Sequence, residues 1–369
     1  MRIASFNVEN LFERTKAFNL QDKDAARVVL EQYARINDLF NEPAYSDPAK
    51  AEMVDLLGKL GLAERDDGGE FALLRQNRGR LLRRPLGGGT EIVASGRADW
   101  IGWVELKSEP VNELAMQHTA MVIRDVRADV QAVVEADDRI GLKRFSAIAL
   151  QAVGGNAYAH VMLIDGNDDR GIDVALMARA EYEIVGIASH VDDADAKGEI
   201  FSRDCPEYRI AAPGGERLVL LVNHLKSKGF GGQSSSNKKR ERQARRVAQI
   251  YRRLVAESQT NVVVLGDFND TPDSPPLAPL LAQTDLRDIS AHPSFISDGR
   301  AGTFGNGTKS NKIDYILLSP PLFERVSGGA IFRKGVWGGK NGTLFPHYPT
   351  ITRSIEAASD HAAIYADIA

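Results

Sequence analysis

Short apolar runs that stop abruptly at asparagine, aspartate or histidine recur along this chain, and they constrain its fold more than any other feature. The clearest is Val262 to Thr271, V-V-V-L-G-D-F-N-D-T. Consecutive aliphatic residues fit a strand covered on both faces, because a strand with one wet face would alternate. Gly266 would let the backbone approach a ligand closely before Asp267, Asn269 and Asp270 emerge. In period-2 geometry Asp267 and Asn269 point to the same side. They aim a carboxylate and an amide at one point, which suits a hard cation or a phosphoryl oxygen. A turn held by Asx hydrogen bonds would use the same residue types, Asp270 above all.

The pattern repeats. Met1 to Phe12 reads M-R-I-A-S-F-N-V-E-N-L-F, a strand with Asn7 at its end and Asn10 just beyond. Arg217 to Lys228, R-L-V-L-L-V-N-H-L-K-S-K, is a buried strand ending in Asn223 and His224, with Lys226 and Lys228 behind. A histidine and two cations there can hold an anion. Lys312 to Ser319 carries a single acid, Asp314, in an otherwise apolar strand, and Ser359-Asp360-His361 precedes a last strand over 362–368. Strands punctuated in this way predict one site assembled from distant parts of the sequence.

Taken in order, F-N-V-E-N, R-G-I-D-V-A-L, N-H-L-K-S-K, G-D-F-N-D, I-D-Y-I-L and S-D-H resemble the endonuclease/exonuclease/phosphatase superfamily, which includes deoxyribonuclease I, abasic-site endonucleases, inositol-phosphate phosphatases and sphingomyelinases. The resemblance covers residues 1 to 12 and about 120 to 369. It implies a deoxyribonuclease I-like fold, a four-layered α/β sandwich of two mostly antiparallel sheets with outer helices, and a site where strand termini converge. It also implies a metal-binding Glu, usually written L-Q-E-V. Ala149 to Val153, A-L-Q-A-V, mimics that motif with Ala152 in the Glu position, but Ala128 to Glu135, A-D-V-Q-A-V-V-E, has the better context, an A-D-V-apolar strand after a helix. From Glu135 to Arg170 is 35 positions, enough for a helix, a loop and a strand, whereas Ala152 leaves 18. The A-L-Q-A-V segment then closes a helix from about Arg139, with Leu142, Phe145, Ile148, Ala149 and Ala152 at helical spacing. Glu135 could instead cap that helix, a task equally open to Asp137 and Asp138.

Carried onto matching positions, the resemblance implies Asn7, Glu135 and Asp360 as metal ligands. The ion would be Mg2+, with Mn2+ as a substitute, since the donors are carboxylate and amide oxygens. Asp267 resembles the residue that orients or deprotonates the attacking water, and Asn269 the one that fixes it or holds a phosphoryl oxygen. His361 resembles the histidine beside the scissile phosphate, with Asp314 setting its tautomer and favouring its charge. His224 resembles a second phosphate-contacting or acid histidine. Arg170, Asn223, Lys226 and Lys228 would bind substrate. Asp173 could fix Arg170 or a backbone turn as readily as touch substrate. One metal or two, and which acid serves which oxygen, stay open.

At 369 residues and 43% hydrophobic content the chain can bury one large core plus an insertion. The expected arrangement is a single domain over 1–369 with a largely helical insertion at 13–121, forming a cap beside the site or a structural extension. One cysteine, Cys205, forbids an internal disulfide. With no apolar signal core and no long apolar stretch, the expectation is a cytoplasmic enzyme with no membrane contact and no obligate protein partner. A formal charge of −4 does not recommend a generic nucleic-acid binder. Two local runs are basic: Arg75 to Arg84 has five arginines, and Lys238 to Arg253 has eight cations against one acid. Each is either a solvated face or a route to the phosphates of a polymer. The function expected is Mg2+-dependent phosphoester hydrolysis by a nuclease or nucleotide-directed phosphodiesterase. The alternatives are a phosphatase for a small phosphorylated metabolite or nucleotide, and a catalytically silent binding protein.

Overall fold

The computed structural model describes residues 1–9, 11, 13–16, 23–110, 112–168, 171–228 and 233–369. Two compact units divide the chain: Met1–Phe12, Val111–Lys228 and Ser234–Ala369 make the larger, and Glu13–Pro110 with Gly229–Gln233 the smaller.

The apolar runs of the larger unit form its strands. They are β1 (Arg2–Asn7), β2 (Val130–Ala136), β3 (His160–Leu163), β4 (Asp173–Ala178), β5 (Glu183–Ala188), β6 (Glu207–Ala211), β7 (Arg217–His224), β8 (Val262–Asp267), β9 (Arg287–Asp288), β10 (Phe295–Ile296), β11 (Asp314–Leu318), β12 (Val326–Phe332) and β13 (Ala363–Ile368). One sheet is seven-stranded in the order β10-β12-β13-β1-β2-β4-β3, and the other six-stranded in the order β5-β6-β7-β8-β11-β9. Neighbours are antiparallel except β1 with β2, β10 with β12 and β7 with β8.

Alternation along each strand then separates the layers. Ile3, Val130, Val134 and Leu176 of the first sheet share one core with Tyr208, Leu220, Val263 and Ile316 of the second. On the far face of the first sheet, Phe6, Val133 and Met177 pack with Ile123 and Val126 of α3 (Glu113–Val126) and Phe145 of α4 (Arg139–Ala147). The far face of the second sheet buries Leu221 and Val264 against Val247 and Leu254 of α6 (Gln233–Ala256). The result is helix, sheet, sheet, helix, which is why the strands read as continuous apolar runs.

Local chemistry sets the ends of these helices. Asn112 caps α3 by accepting the Leu114 N–H at 3.0 Å. Asp138 caps α4 through the Gly141 N–H at 2.8 Å, so that role does not fall to Glu135. The A-L-Q-A segment is the short helix α5 (Ala149–Ala152), with Leu150 buried and Ala152 exposed. Among the described residues no helix is long and apolar enough to cross a membrane.

The smaller unit has its own core of Leu39, Phe40, Met53, Leu57, Leu74, Trp100 and Val104. Helix α1 (Lys23–Phe40) and helix α2 (Asp47–Lys59), the latter capped by Ser46, supply one part of it. Ala72–Arg78 pairs antiparallel with Ile101–Leu106 to supply the other. Trp100 meets Phe40 edge-on, with ring centroids 4.9 Å apart, and donates its Nε1–H to the Tyr45 hydroxyl at 2.8 Å. The stretch thus carries strand pairs as well as helices. Arginines of the first basic run lie here in ion pairs: Arg75 with Glu105 at 2.7 Å, Arg83 with Glu91 at 2.5 Å and Arg84 with Asp66 at 2.8 Å.

Candidate active site

Register builds half of the site. His224, at the end of β7, lies opposite Asp267 at the end of β8, and Asp267 lies opposite Asp314 at the start of β11. All three occupy the alternation positions of the inner face, in phase with Leu220, Leu265 and Ile316. A transverse row of His, Asp and Asp therefore faces the opposing sheet. Gly266 (φ +128°) permits it: a Cβ there would lie 1.9 Å from the Asn223 carbonyl oxygen. The close approach at this glycine is thus made to the neighbouring strand.

The first sheet supplies Asn7 and Glu135. Asn7 follows Ile3 and Ser5 on the inner face. Its Nδ2 donates to Glu135 Oε1 and to Asp267 Oδ2, each at 3.2 Å, and so joins the two sheets. Glu135 reaches this point by an irregularity. Val130, Ala132 and Val134 face inward, so alternation alone would turn Glu135 outward. Instead, the pairing of β2 with β4 shifts register between Asp173 and Val174, and Glu135 adopts φ +67° as the extra residue of a bulge. A left-handed conformation costs a glutamate on the order of 1 kcal/mol. His224 Nε2 lies 3.7 Å from both Glu135 Oε1 and Asp267 Oδ2.

Asp267 is buried and embraced by its own turn. The Asn269 N–H donates to its Oδ1 at 2.8 Å and Asn269 Nδ2 to its Oδ2 at 3.1 Å, with Asn269 at φ +56°. The Asx turn and the site are thus one structure. Burial, then the neighbouring Asp314, pushes the Asp267 carboxyl up to about 7, against the pull of His361.

His361 and Asp314 form a dyad, with Nδ1 2.8 Å from Asp314 Oδ2. Burial opposes the charge on the ring, but Asp314, followed by Asp267 and Asp360, raises the imidazolium well above its ordinary range. His361 Nε2 lies 4.0 Å from Asp267 Oδ2 and 3.8 Å from Asp360 Oδ1. Two supports were not foreseen. The Thr303 hydroxyl donates to Asp314 Oδ2 at 2.5 Å and accepts the Asp314 N–H at 3.1 Å. Glu9, inside the F-N-V-E-N motif, accepts the Asp360 N–H at 3.0 Å. The position of Glu9 in that motif was a usable signal; Thr303 had none.

The expected substrate-binding residues fare differently. Asn223 falls on the outer face of β7, in phase with Leu221, and its Nδ2 donates to the Leu221 carbonyl at 3.0 Å. The structure therefore does not bring it to His224, because neighbours in a strand face opposite ways. Lys228 pairs with Asp270 at 2.6 Å. Lys226 is half-buried, its N–H given to Gln243 Oε1 at 2.7 Å. Arg170 and Asn10 lie outside the described residues. Asp173 holds a turn: it accepts the Gly166 N–H at 2.8 Å, and burial raises its carboxyl to about 7. The second basic run is largely neutralised within the sandwich. Arg240 pairs with Asp270, Arg242 with Asp195, Arg245 with Glu241, Arg246 with Asp193 and Arg253 with Glu257.

This arrangement offers acid–base groups beside hard oxygen donors. The ligand-type atoms of Asp267, Asp314 and His361 lie within 4.8 Å of one another and could hold a metal ion. However, Nδ1 of His361 is already taken by Asp314 Oδ2, whose pull raises the imidazolium well above its ordinary range. Asn7 and Glu135 give amide and carboxylate oxygens instead, and buried Asp314 Oδ1 meets no hydrogen-bond partner among the described residues. Such a surplus of buried acid fits a hard divalent cation.

Residues 94–336 match the family model described as Endonuclease/Exonuclease/phosphatase family. None of the curated proteins compared matches the chain. Solved structures similar to it include an endonuclease/exonuclease/phosphatase from Bacteroides vulgatus, 16% identical over 70% of this chain and 90% of that one, with a TM-score of 0.48. A mannosyl-6-phosphatase from Bacteroides thetaiotaomicron is 15% identical over 69% of this chain and 91% of its own, also at 0.48. The human nocturnin catalytic domain with bound sulfate is 14% identical over 71% and 88%, at 0.47.

Proposed function

The chain belongs to the endonuclease/exonuclease/phosphatase family, whose members are metal-dependent hydrolases of phosphoester bonds, and from that premise we propose that it cleaves a phosphodiester of a nucleic acid or nucleotide with Mg2+ as cofactor. The observation that carries this reading is the convergence of Asn7, Glu135, His224 and Asp267 from both sheets beside the Asp314–His361 dyad.

Asn7, Glu135 and Asp360 would hold the ion, which when bound supplies positive charge to the phosphoryl and leaving oxygens. Asp267, whose carboxyl is pushed up to about 7, orients the attacking water and takes its proton. Asn269 steadies that carboxylate and the water. His361, kept protonated by Asp314, balances charge on a non-bridging oxygen, and His224 contacts the phosphate or gives the leaving oxygen a proton. Lys226 adds positive charge at the mouth of β7, while the charge of Lys228 is held by Asp270.

A second reading, hydrolysis of a small phosphomonoester, is favoured by the ion pairs that engage three arginines of the first basic run and five of the second, which leave less positive surface for a polymer. One assay separates the two. Plasmid and single-stranded DNA, nucleoside monophosphates and bis(p-nitrophenyl) phosphate are offered with Mg2+, with Mn2+ and with chelator. Metal-dependent cleavage of DNA or the synthetic diester supports the first reading, release of phosphate from monophosphates alone supports the second, and silence on all refutes both.

A further inference from the structure

Asp270 closes the same turn as Asp267 but lies behind the row of inner-face groups, and it gathers contacts from every strand that carries that row. Its Oδ2 takes Arg240 Nε at 2.9 Å, its Oδ1 takes Lys228 Nζ at 2.6 Å, and its carbonyl accepts the Tyr315 hydroxyl at 2.8 Å. Arg240, in α6, has no exposed surface. Its Nη1 donates to the Lys226 carbonyl at 2.5 Å and its Nη2 to Asn237 Oδ1 at 2.6 Å. Tyr315 also stacks on Phe268, with centroids 4.8 Å apart and planes at 14°. Lys226 and Lys228 sit in the loop that leaves His224, Asp270 in the loop that leaves Asp267, and Tyr315 next to Asp314. The buried carboxylate and guanidinium therefore tie the loops that leave β7 and β8 to α6, and the Asp270 carbonyl holds Tyr315 of β11, all on the side away from the site.

We propose that Asp270, clamped by Arg240, is a positioning hub that fixes the mutual spacing of His224, Asp267 and Asp314; this rests on the reading of those groups as catalytic. A turn aspartate needs only the Thr271 N–H, which Asp270 has at 3.0 Å. Burying it against a fully enclosed guanidinium adds a directional fork that apolar packing would not supply. Such a fork holds loop ends at a set angle, and in-line attack depends on that angle.

The test uses the full chain and the variants Tyr315→Phe, Arg240→Met and Arg240→Lys, each checked for folding by circular dichroism and melting. Steady-state kinetics on the diester with Mg2+ is combined with amide hydrogen exchange at Leu225, whose N–H bonds the Asp267 carbonyl at 2.9 Å, and at Asn269. The expected result is a kcat lower by about 10-fold in Tyr315→Phe and about 100-fold in Arg240→Met, with KM little changed and partial recovery in Arg240→Lys. Exchange at Leu225 and Asn269 should quicken while that of Val263 and Leu265 does not. An unchanged kcat in folded Tyr315→Phe and Arg240→Met overturns the proposal, as does unchanged exchange at Leu225. If the wild-type chain hydrolyses none of the esters, the functional reading falls by itself, and the exchange measurement alone decides whether the hub holds the strand ends.

Discussion

His190 and His361 are both buried histidines gripped by carboxylates, and the surroundings of the two differ in charge. Around His190 the acids are answered. Its ring nitrogens lie 2.9 Å from Asp193 Oδ2 and 2.8 Å from Glu207 Oε1. Those same oxygens also take Arg246, at 2.6 Å, and Arg253. Burial holds the His190 imidazolium below its ordinary value even though Asp193 pulls it up. Around His361 the acids are in excess: among the described residues, no arginine or lysine pairs with Asp267, Asp314 or Glu135. The first cluster is a closed tie between β6 and α6. The second carries a deficit of positive charge that a cation from solution can fill, and it keeps two groups, Asp267 and His361, displaced from their ordinary titration. Composition does not separate such clusters; charge balance does.

The largest effect that would sharpen this contrast is at Asp267. Asp267→Asn should lower kcat by about 10³-fold or more without loss of melting temperature, because a buried, uncompensated carboxylate is removed. Activity within tenfold of wild type would break the contrast at its centre. Glu207→Gln should behave in the opposite way, destabilising the fold by about 3 kcal/mol in urea titration, since His190, Arg209 and Arg253 lose a shared charged acceptor and Arg253 keeps only Glu257 among the described residues. Specific activity of the folded protein should stay near that of wild type, and a marked fall would mean that the His190 cluster serves the chemistry after all.

Glu135→Gln should lower activity by about 100-fold and be rescued in part by raising Mg2+, read from metal titrations of rate. Loss with no change in metal dependence would remove Glu135 from the ligand set. Asp173 gives the smallest effect. Its carboxyl is raised to about 7 by burial, with Asp165 and Asp168 adding to the rise. A folded value above the unfolded one contributes stability that is full below about pH 4 and is lost as pH rises through about 7. Asp173→Asn should therefore melt higher than wild type at pH 8, by on the order of 2 kcal/mol, and equal to it at pH 4. A constant gap between the two at both pH values would show that Asp173 is ionised throughout.

Much of this is legible in the sequence. Runs such as V-V-V-L-G-D and R-L-V-L-L-V-N-H announced strands covered on both faces, because burial is written residue by residue in side-chain polarity. The polar residues at their ends located His224, Asp267, Asp314 and His361, and the context of A-D-V-Q-A-V-V-E favoured Glu135 over the A-L-Q-A-V segment, whose Ala152 sits exposed on a short helix. Less legible were the two basic runs, since the partners of Arg246 and Arg240 lie 53 and 30 positions away.

By itself, then, the sequence determined that its apolar runs are strands covered on both faces and which chemical groups stand at their ends. All of these follow from the polarity of a residue and its immediate neighbours. Which way those groups face was decided only by the tertiary structure. Glu135 turns inward through a bulge opposite β4, Asn223 turns away because His224 takes the inner face, and Asp270 becomes a hub because α6 delivers Arg240 to it. Register, bulges and charge compensation depend on pairings between distant segments, and no local pattern carries that information.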